Sequence, residues 1–195
     1  PDAVPAGAEG ALSLFAKEVT VLFVGALGLT YLLRAKWRRA FGLGLVALLP
    51  FAIFQVWLWR SFGAFGIGSG GDMATSFEII PLMGILRIGF YSPVLLLATI
   101  AVFGPFLILP TIWSIVVVIK RILREKIDFL SLALGVQAIS MLFLPFSTYR
   151  EPGGLLRYAC GLIPAILLFA AKYRHKRVLR YTSLWLVLNI FLVKS

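Results

Sequence analysis

The sequence predicts an all-α, polytopic integral membrane helix bundle with about five to six spanning helices and one interfacial or re-entrant helix. Hydrophobic residues make up 61% of the chain and charged residues 14%, whereas about a quarter of the residues in soluble proteins are charged. The 195 residues also contain a series of apolar runs, several of them close to the roughly 20 residues that cross a bilayer as a helix. The basic residues lie in short clusters between these runs. We therefore expect residues 1–195 to form a single transmembrane helical domain.

The first two predicted spans are separated by a basic loop. Residues 11–33 form the first apolar run, and residues 41–59 form the second, on either side of the basic loop 34–39. Pro50 lies inside the second run, and a membrane helix tolerates proline when neighbouring groups satisfy the freed carbonyl. The polar, glycine-rich residues 60–76 that follow predict an external loop.

A shorter apolar segment follows this loop. Thr75 and Glu78 have the spacing of a capping box, which predicts the start of a helix. Residues 79–90 are apolar but too few to cross a bilayer comfortably. This segment is therefore interpreted as the interfacial or re-entrant helix.

The remainder of the chain alternates between apolar runs and charged loops. In order, we predict a third span at 93–119, a basic loop at 120–128, a fourth span at 129–146, a polar loop at 147–154, a fifth span at 155–171, a basic loop at 172–180 and a short final run at 181–193. No internal repeat is recognised.

The distribution of positive charge predicts the orientation of the chain. Thirteen of the 19 Lys and Arg residues lie in the three loops 34–39, 120–126 and 172–180. Because Lys and Arg are retained on the cytoplasmic side, these loops are predicted to be cytoplasmic and the N-terminus extracytoplasmic. Contact with anionic membrane lipids is expected at the same loops. Division of the positive charge among separate loops argues against a nucleic-acid partner.

The stretch 147–157 carries the charges that topology does not require. Ionisable groups within a membrane are costly and are by default candidates for a functional site. The planar donor fork of arginine fits a phosphate, so Arg150 and Arg157 are the candidate ligands of a substrate phosphate. A nearby carboxylate could act as general base, and Asp72 and Glu151 are the candidate catalytic residues.

Each of these residues also has a structural interpretation. Arg150 and Glu151 could extend to water or to lipid headgroups, external lipid headgroups could also satisfy Arg157, and Asp72 could be a solvated loop residue. The single cysteine, Cys160, excludes an internal disulfide and a cysteine metal site. No cofactor or metal site is indicated, although the sequence leaves a divalent metal open.

Two short segments resemble polytopic membrane glycosyltransferases of the GT-C class. One is 12–23, in which Lys17 and Glu18 precede an apolar run; the other is 149–158, read Tyr-Arg-Glu-Pro-Gly-Gly-Leu-Leu-Arg-Tyr. Lys17, Glu18, Arg150 and Arg157 match the motif positions of that class, with Lys17 and Glu18 as supporting ion-pair residues. Asp72 is inferred from its loop alone.

The resemblance implies transfer of a sugar from a polyprenyl-phosphate donor at the extracytoplasmic face. In the GT-C class the catalytic carboxylate usually lies in the first external loop, after the first span. Nothing before residue 11 can supply that span and loop, so the resemblance implies the C-terminal part of such an enzyme or a non-catalytic relative.

Two other classes of function remain open. A non-catalytic accessory or scaffold subunit of a larger membrane complex would have other membrane subunits as partners. A lipid or solute transporter is the third alternative, although transporters often show internal repeats.

Overall fold

The computed structural model describes residues 20–63, 78–150 and 152–186. Every regular element in these ranges is a helix, which confirms the all-α class. The helices are α1 (Thr20–Leu33), α2 (Trp37–Phe62), α3 (Met83–Tyr91), α4 (Pro93–Leu123), α5 (Phe129–Leu142), α6 (Phe146–Arg150), α7 (Pro152–Lys172) and α8 (Lys176–Tyr181).

Two of these helices, α2 and α4, are long and apolar enough to cross a membrane. They contain 26 and 31 residues and, at a rise of 1.5 Å per residue, extend about 39 and 46 Å. They coincide with the predicted second and third spans. Thr20–Leu33, Phe129–Leu142 and Tyr158–Lys172 are apolar but shorter.

Helix α5 lies at the centre of the packing. It contacts α1, α4 and α7 along its length. Many of its buried positions carry small residues, namely Ser131, Ala133, Gly135 and Ala138, which allow neighbouring backbones to approach closely. At Gly135 a Cβ atom would lie 3.0 Å from Val118 Cγ1 of α4, so a larger residue there would require Val118 to shift.

Helices α2 and α4 each contain an irregular segment of the same kind. In each, a five-residue π-helical segment begins at a glycine, Gly44–Leu48 in α2 and Gly104–Ile108 in α4, and a proline, Pro50 or Pro110, follows. Proline lacks the N–H that would bond the carbonyl four residues earlier. A π segment is one way in which a helix accommodates such a break. The sequence analysis missed this repeated pattern of glycine, four residues, leucine and proline.

The C-terminal segment supplies hydrogen-bond donors to the irregular part of α4. The Leu109 N–H donates to Gly104 O, and Pro110 has no N–H. Neither residue therefore donates a hydrogen bond to the carbonyls of Pro105 and Phe106. The Tyr181 hydroxyl donates to Pro105 O. Trp185 Nε1 donates to Phe106 O at 2.8 Å. Because buried carbonyls are costly when unsatisfied, these contacts stabilise α4 at its break.

Several predicted boundaries were wrong. The predicted helix start at the capping box is displaced to Met83, because Leu82, directly after Pro81, adopts a left-handed conformation with φ 62°. Part of each basic loop at 34–39 and 172–180 is helical, in α2 and α8.

The predicted polar loop at 147–154 also differs. Residues up to Arg150 belong to α6, and α7 begins at Pro152 instead of at residue 155. Arg157 consequently lies in the second turn of α7.

Candidate functional site

An apolar cleft lies among helices α3 to α6. Its lining comprises Leu82, Ile85, Thr99, Phe103, Leu107, Ile108, Thr111, Ile112, Met141, Leu142 and Tyr149. We call it the α3 cleft. Ile112 is 46% exposed, whereas Ile85 and Leu107 are buried, so the cleft extends from the apolar surface of α4 towards the core.

The polar groups of the cleft are already hydrogen-bonded to backbone carbonyls. Thr99 Oγ1 donates to Leu95 O at 2.8 Å, and Thr111 Oγ1 donates to Leu107 O at 2.7 Å. The Tyr149 hydroxyl donates to Met141 O at 2.8 Å. The exposed lining of the cleft is therefore mainly hydrocarbon.

Close backbone contacts hold the α3 side of the cleft. Leu82 N donates to Leu142 O at 2.7 Å, and Glu78 N donates to Phe143 O at 3.1 Å. A Cβ atom on Gly84 would lie 2.5 Å from Leu144 O, so glycine is required for this approach. The segment before α3 and the end of α5 consequently form one wall.

An ion pair lies beside this wall. Arg87 Nη1 is 3.3 Å from Glu78 Oε1, and the side chains are 46% and 8% exposed, respectively. Oε1 accepts no hydrogen bond from the described residues. The carboxylate is thus buried against a guanidinium that is itself half in solvent.

The structure describes only some of the predicted site residues. Arg150 is the last residue of α6, and Arg157 lies in α7, so both are close in sequence to Tyr149 of the cleft. The structure describes the backbone of Arg150 and Arg157 but not their side chains. The other predicted site residues, Lys17, Glu18, Asp72 and Glu151, lie outside the described residues, and their roles stay predictions.

A second polar cluster, the Asp128 cluster, joins α4, α5 and α7. It consists of Arg121, Asp128, Ser131, Lys172 and Tyr173. Asp128 is the N-cap of α5 and accepts from Ser131 N at 3.2 Å and from the Ser131 hydroxyl. Lys172 Nζ and the Tyr173 hydroxyl donate to Asp128 Oδ2 at 2.5 and 2.6 Å.

Arg121 completes the Asp128 cluster from the end of α4. Its Nη2 donates to the Tyr173 hydroxyl at 2.8 Å, and its Cζ lies 3.9 Å from the centre of the Tyr173 ring. Burial alone would raise the pKa of Asp128, but hydrogen bonds from Lys172, Ser131 and Tyr173 outweigh it and hold that pKa well below its ordinary value. The carboxylate therefore stays ionised.

The sequence analysis missed the Asp128 cluster. It assigned Arg121 and Lys172 to topology and lipid contact, whereas both cations also bind Asp128 or Tyr173. One signal was present: Asp128 directly precedes an apolar run, which is the position of an N-cap residue. Among residues 20–63, 78–150 and 152–186, no group of three or more His, Cys, Asp or Glu side chains could hold a metal ion.

In the part of the chain that the structure describes, two long apolar helices are able to cross a membrane, and an apolar cleft lies between one of them, α4, and the shorter helices α3, α5 and α6. No protein-family model, curated protein or solved structure matches the chain. The resemblance to the GT-C class accordingly rests on the two sequence segments alone.

Proposed function

We propose that this chain is a multi-span membrane protein that binds a polyprenyl-phosphate-linked sugar at its extracytoplasmic end, as a GT-C-like glycosyltransferase or its C-terminal part. The α3 cleft is the observation that carries the proposal. Its lining is apolar and its polar groups are internally satisfied, so it offers a hydrocarbon surface against which an isoprenoid chain could pack. Tyr149 lines the cleft and directly precedes Arg150, one of the two candidate phosphate ligands.

The exposure of the long helices supports the membrane part of the proposal. Only 17% of the apolar window of α2 and 33% of that of α4 is buried within the protein. A core helix of a soluble protein would be mostly buried. Large apolar side chains such as Trp57 and Ile53 of α2 and Leu97 of α4 are more than half exposed, which suits contact with lipid tails. In this arrangement the basic loops face the cytoplasm.

The proposed reaction is an inverting or retaining transfer of the sugar to a hydroxyl group. The acceptor oxygen forms a bond to the anomeric carbon, and the bond from that carbon to the phosphate oxygen breaks. The polyprenyl phosphate leaves with the electron pair and is stabilised by Arg150 and Arg157. The hydroxyl proton passes to a carboxylate, for which Asp72 and Glu151 are the candidates.

Binding of undecaprenyl phosphate to the purified chain in nanodiscs tests the proposal. Thr99→Phe places a ring in the cleft and should weaken binding about tenfold or more, a loss of roughly 1.4 kcal/mol. Ile100→Phe is the matched control, because Ile100 is 42% exposed and does not line the cleft. Equal binding by wild type and Thr99→Phe would refute the assignment of the cleft.

The phosphate ligands need a separate variant. Arg157→Ala should reduce binding of undecaprenyl phosphate while expression and membrane insertion stay close to those of the wild type. Unchanged binding would remove Arg157 from the site.

The exposure of α2 favours a second candidate, a non-catalytic subunit of a membrane complex. Helix α2 packs mainly on α1, through Ala47 and Phe51, and leaves most of its apolar surface for lipid or for another subunit. Purification in a fixed stoichiometry with other membrane proteins, free of bound polyprenyl phosphate, would favour this candidate over the enzyme.

A further inference from the structure

The lining of the α3 cleft extends across the irregular segment of α4. Helix α4 supplies two lining residues before its π-helical segment, two inside it and two after it. They are Thr99 and Phe103, then Leu107 and Ile108, then Thr111 and Ile112. All six border one cleft, although the helix changes its geometry between the first pair and the last.

An uninterrupted α-helix could not present this lining. With 3.6 residues per turn, the nine positions from Phe103 to Ile112 make two and a half turns, so these side chains would point about 180° apart. The five positions from Phe103 to Ile108 would separate those two side chains by about 140°. Ile108 and Ile112 would then be turned away from the cleft.

The π-helical segment brings these residues back to one face. The Leu109 N–H donates to Gly104 O, five residues earlier, so this turn holds one residue more than an α turn. One extra residue rotates the rest of α4 back by about 100° relative to a regular helix. The angle from Phe103 then falls to about 40° for Ile108 and about 80° for Ile112. We call this arrangement the π form of α4.

The π form also creates the acceptors that the C-terminal segment uses. The extra residue frees one carbonyl and Pro110, which lacks an N–H, frees another. The Tyr181 hydroxyl donates to Pro105 O, and Trp185 Nε1 donates to Phe106 O at 2.8 Å. In a regular helix the N–H four residues later would already serve Pro105 O. The donor from Tyr181 therefore favours the π form over a regular helix.

We propose that Tyr181 and Trp185 are positioning residues of the α3 cleft: they stabilise the π form of α4 and so keep Ile108 and Ile112 in the lining. Neither of them lines the cleft, so they act on a ligand only through α4. The identity of that ligand rests on the proposed function. Because both events favour the same form of α4, docking of the C-terminal segment and occupation of the cleft strengthen each other.

Removal of both donors tests the positioning role. The double variant Tyr181→Phe, Trp185→Phe keeps two aromatic rings but leaves two carbonyls without their donors. It should bind undecaprenyl phosphate in nanodiscs about tenfold or more weakly than the wild type, because the form that binds becomes less populated. Asp128→Ala is the control for general destabilisation, since it weakens contacts at the far end of α4, and it should bind like the wild type.

Pro110→Ala separates positioning from stability. It supplies an N–H for Phe106 O and removes the ring that hinders a regular turn, so α4 can close as an uninterrupted helix. Its Tm should equal or exceed that of the wild type, whereas its binding of undecaprenyl phosphate should be weaker by about tenfold or more. Pro50→Ala is the matched control, because it makes the same change after the π-helical segment of α2, which does not line the cleft. It should bind like the wild type.

Amide hydrogen exchange gives a readout that needs no ligand. In the double variant, the amides of residues 106–112 and of residues 82–86 on the facing wall should exchange about tenfold or more faster than in the wild type, because the contacts between the two walls open more often. Asp128→Ala should leave the exchange of both segments unchanged.

Three results would overturn the inference. One is a double variant that binds undecaprenyl phosphate like Asp128→Ala while Thr99→Phe binds it weakly, since the cleft would then form without its C-terminal donors. Another is equal binding by Pro110→Ala and Pro50→Ala. The third is unchanged exchange at residues 106–112 in the double variant. If the wild type binds no undecaprenyl phosphate, the proposed function fails, and the exchange rates alone then support or refute the positioning of α4.

Discussion

Replacement of Asp128 tests how much stability its carboxylate contributes where α4, α5 and α7 meet. Asp128→Ala removes the N-cap of α5, which typically lowers stability by about 1 kcal/mol. It also removes the acceptor of the Tyr173 hydroxyl, which lowers stability by about 1 kcal/mol more. Lys172 is half exposed, so its pair with Asp128 adds at most about 1 kcal/mol. The loss of stability should therefore be about 2–3 kcal/mol. Asp128→Asn keeps a good N-cap and should lose about 1 to 2 kcal/mol.

Thermal unfolding in detergent, followed by circular dichroism, measures this effect. For a chain of this size, 1 kcal/mol corresponds to roughly 2–4 °C in Tm, so Asp128→Ala should lower Tm by about 4–12 °C. Glu125→Gln is the matched control, since Glu125 is an exposed carboxylate in the same turn. A Tm of Asp128→Ala equal to that of the control would refute a stabilising role for the Asp128 cluster.

Acid titration gives an independent check on Asp128. Its pKa in the folded protein is depressed below the ordinary value of 3.8, so the folded state favours the ionised form. The stability that follows is fully present above the unfolded-state pKa and is lost as the pH falls through that value towards the folded-state pKa. Between about pH 5 and pH 2 the Tm of the wild type should fall more steeply than that of Asp128→Asn. Parallel curves would show that the carboxylate is not held ionised.

Two further predictions concern the packing of the helices. Trp185→Phe should lower stability by about 1–3 kcal/mol, because Phe106 O loses its donor inside the protein. Trp57→Phe is the control at an exposed tryptophan and should leave Tm unchanged. Equal Tm values for the two variants would refute the hydrogen bond from Trp185 to Phe106. Gly84→Ala should lower the free energy of unfolding by about 1–3 kcal/mol, since its Cβ would meet Leu144 O. Gly25→Ala is the control, because a Cβ there meets nothing within 4 Å, and it should be neutral or slightly stabilising. Denaturation of both glycine variants by sodium dodecyl sulfate measures the difference, and similar midpoints would contradict the close approach of α3 to residue 144.

The sequence predicted the helical class and several helix starts because these depend on local patterns. Ser92 and Asp128 precede apolar runs, and each caps the helix that follows, α4 or α5. The displaced start of α3 depends on a left-handed residue, Leu82, which propensity does not predict. The membrane orientation and the number of spans remain predictions, because α1, α5 and α7 have apolar stretches shorter than the two long helices.

The polar sites were less predictable because they join distant parts of the chain. Glu78 and Arg87 could be recognised as charges of one boundary, but their pairing depends on the turn at Pro81 and Leu82. Asp128 and Tyr173 are 45 residues apart, and no spacing rule connects them. Arg150 and Arg157 were selected for their chemistry, and the structure adds only that Arg150 ends α6 and that Arg157 lies in α7.

The hydrogen bonds at the break in α4 have a consequence for biosynthesis. Their donors, Tyr181 and Trp185, follow the acceptors by 76 and 79 residues. When α4 leaves the ribosome, the carbonyls of Pro105 and Phe106 have no donor from the chain made so far, and water or the insertion machinery has to serve them. The helix is completed only after the C-terminal segment is synthesised. A ribosome stalled before residue 181 would therefore hold an α4 that is still hydrated at its break and open to quality control.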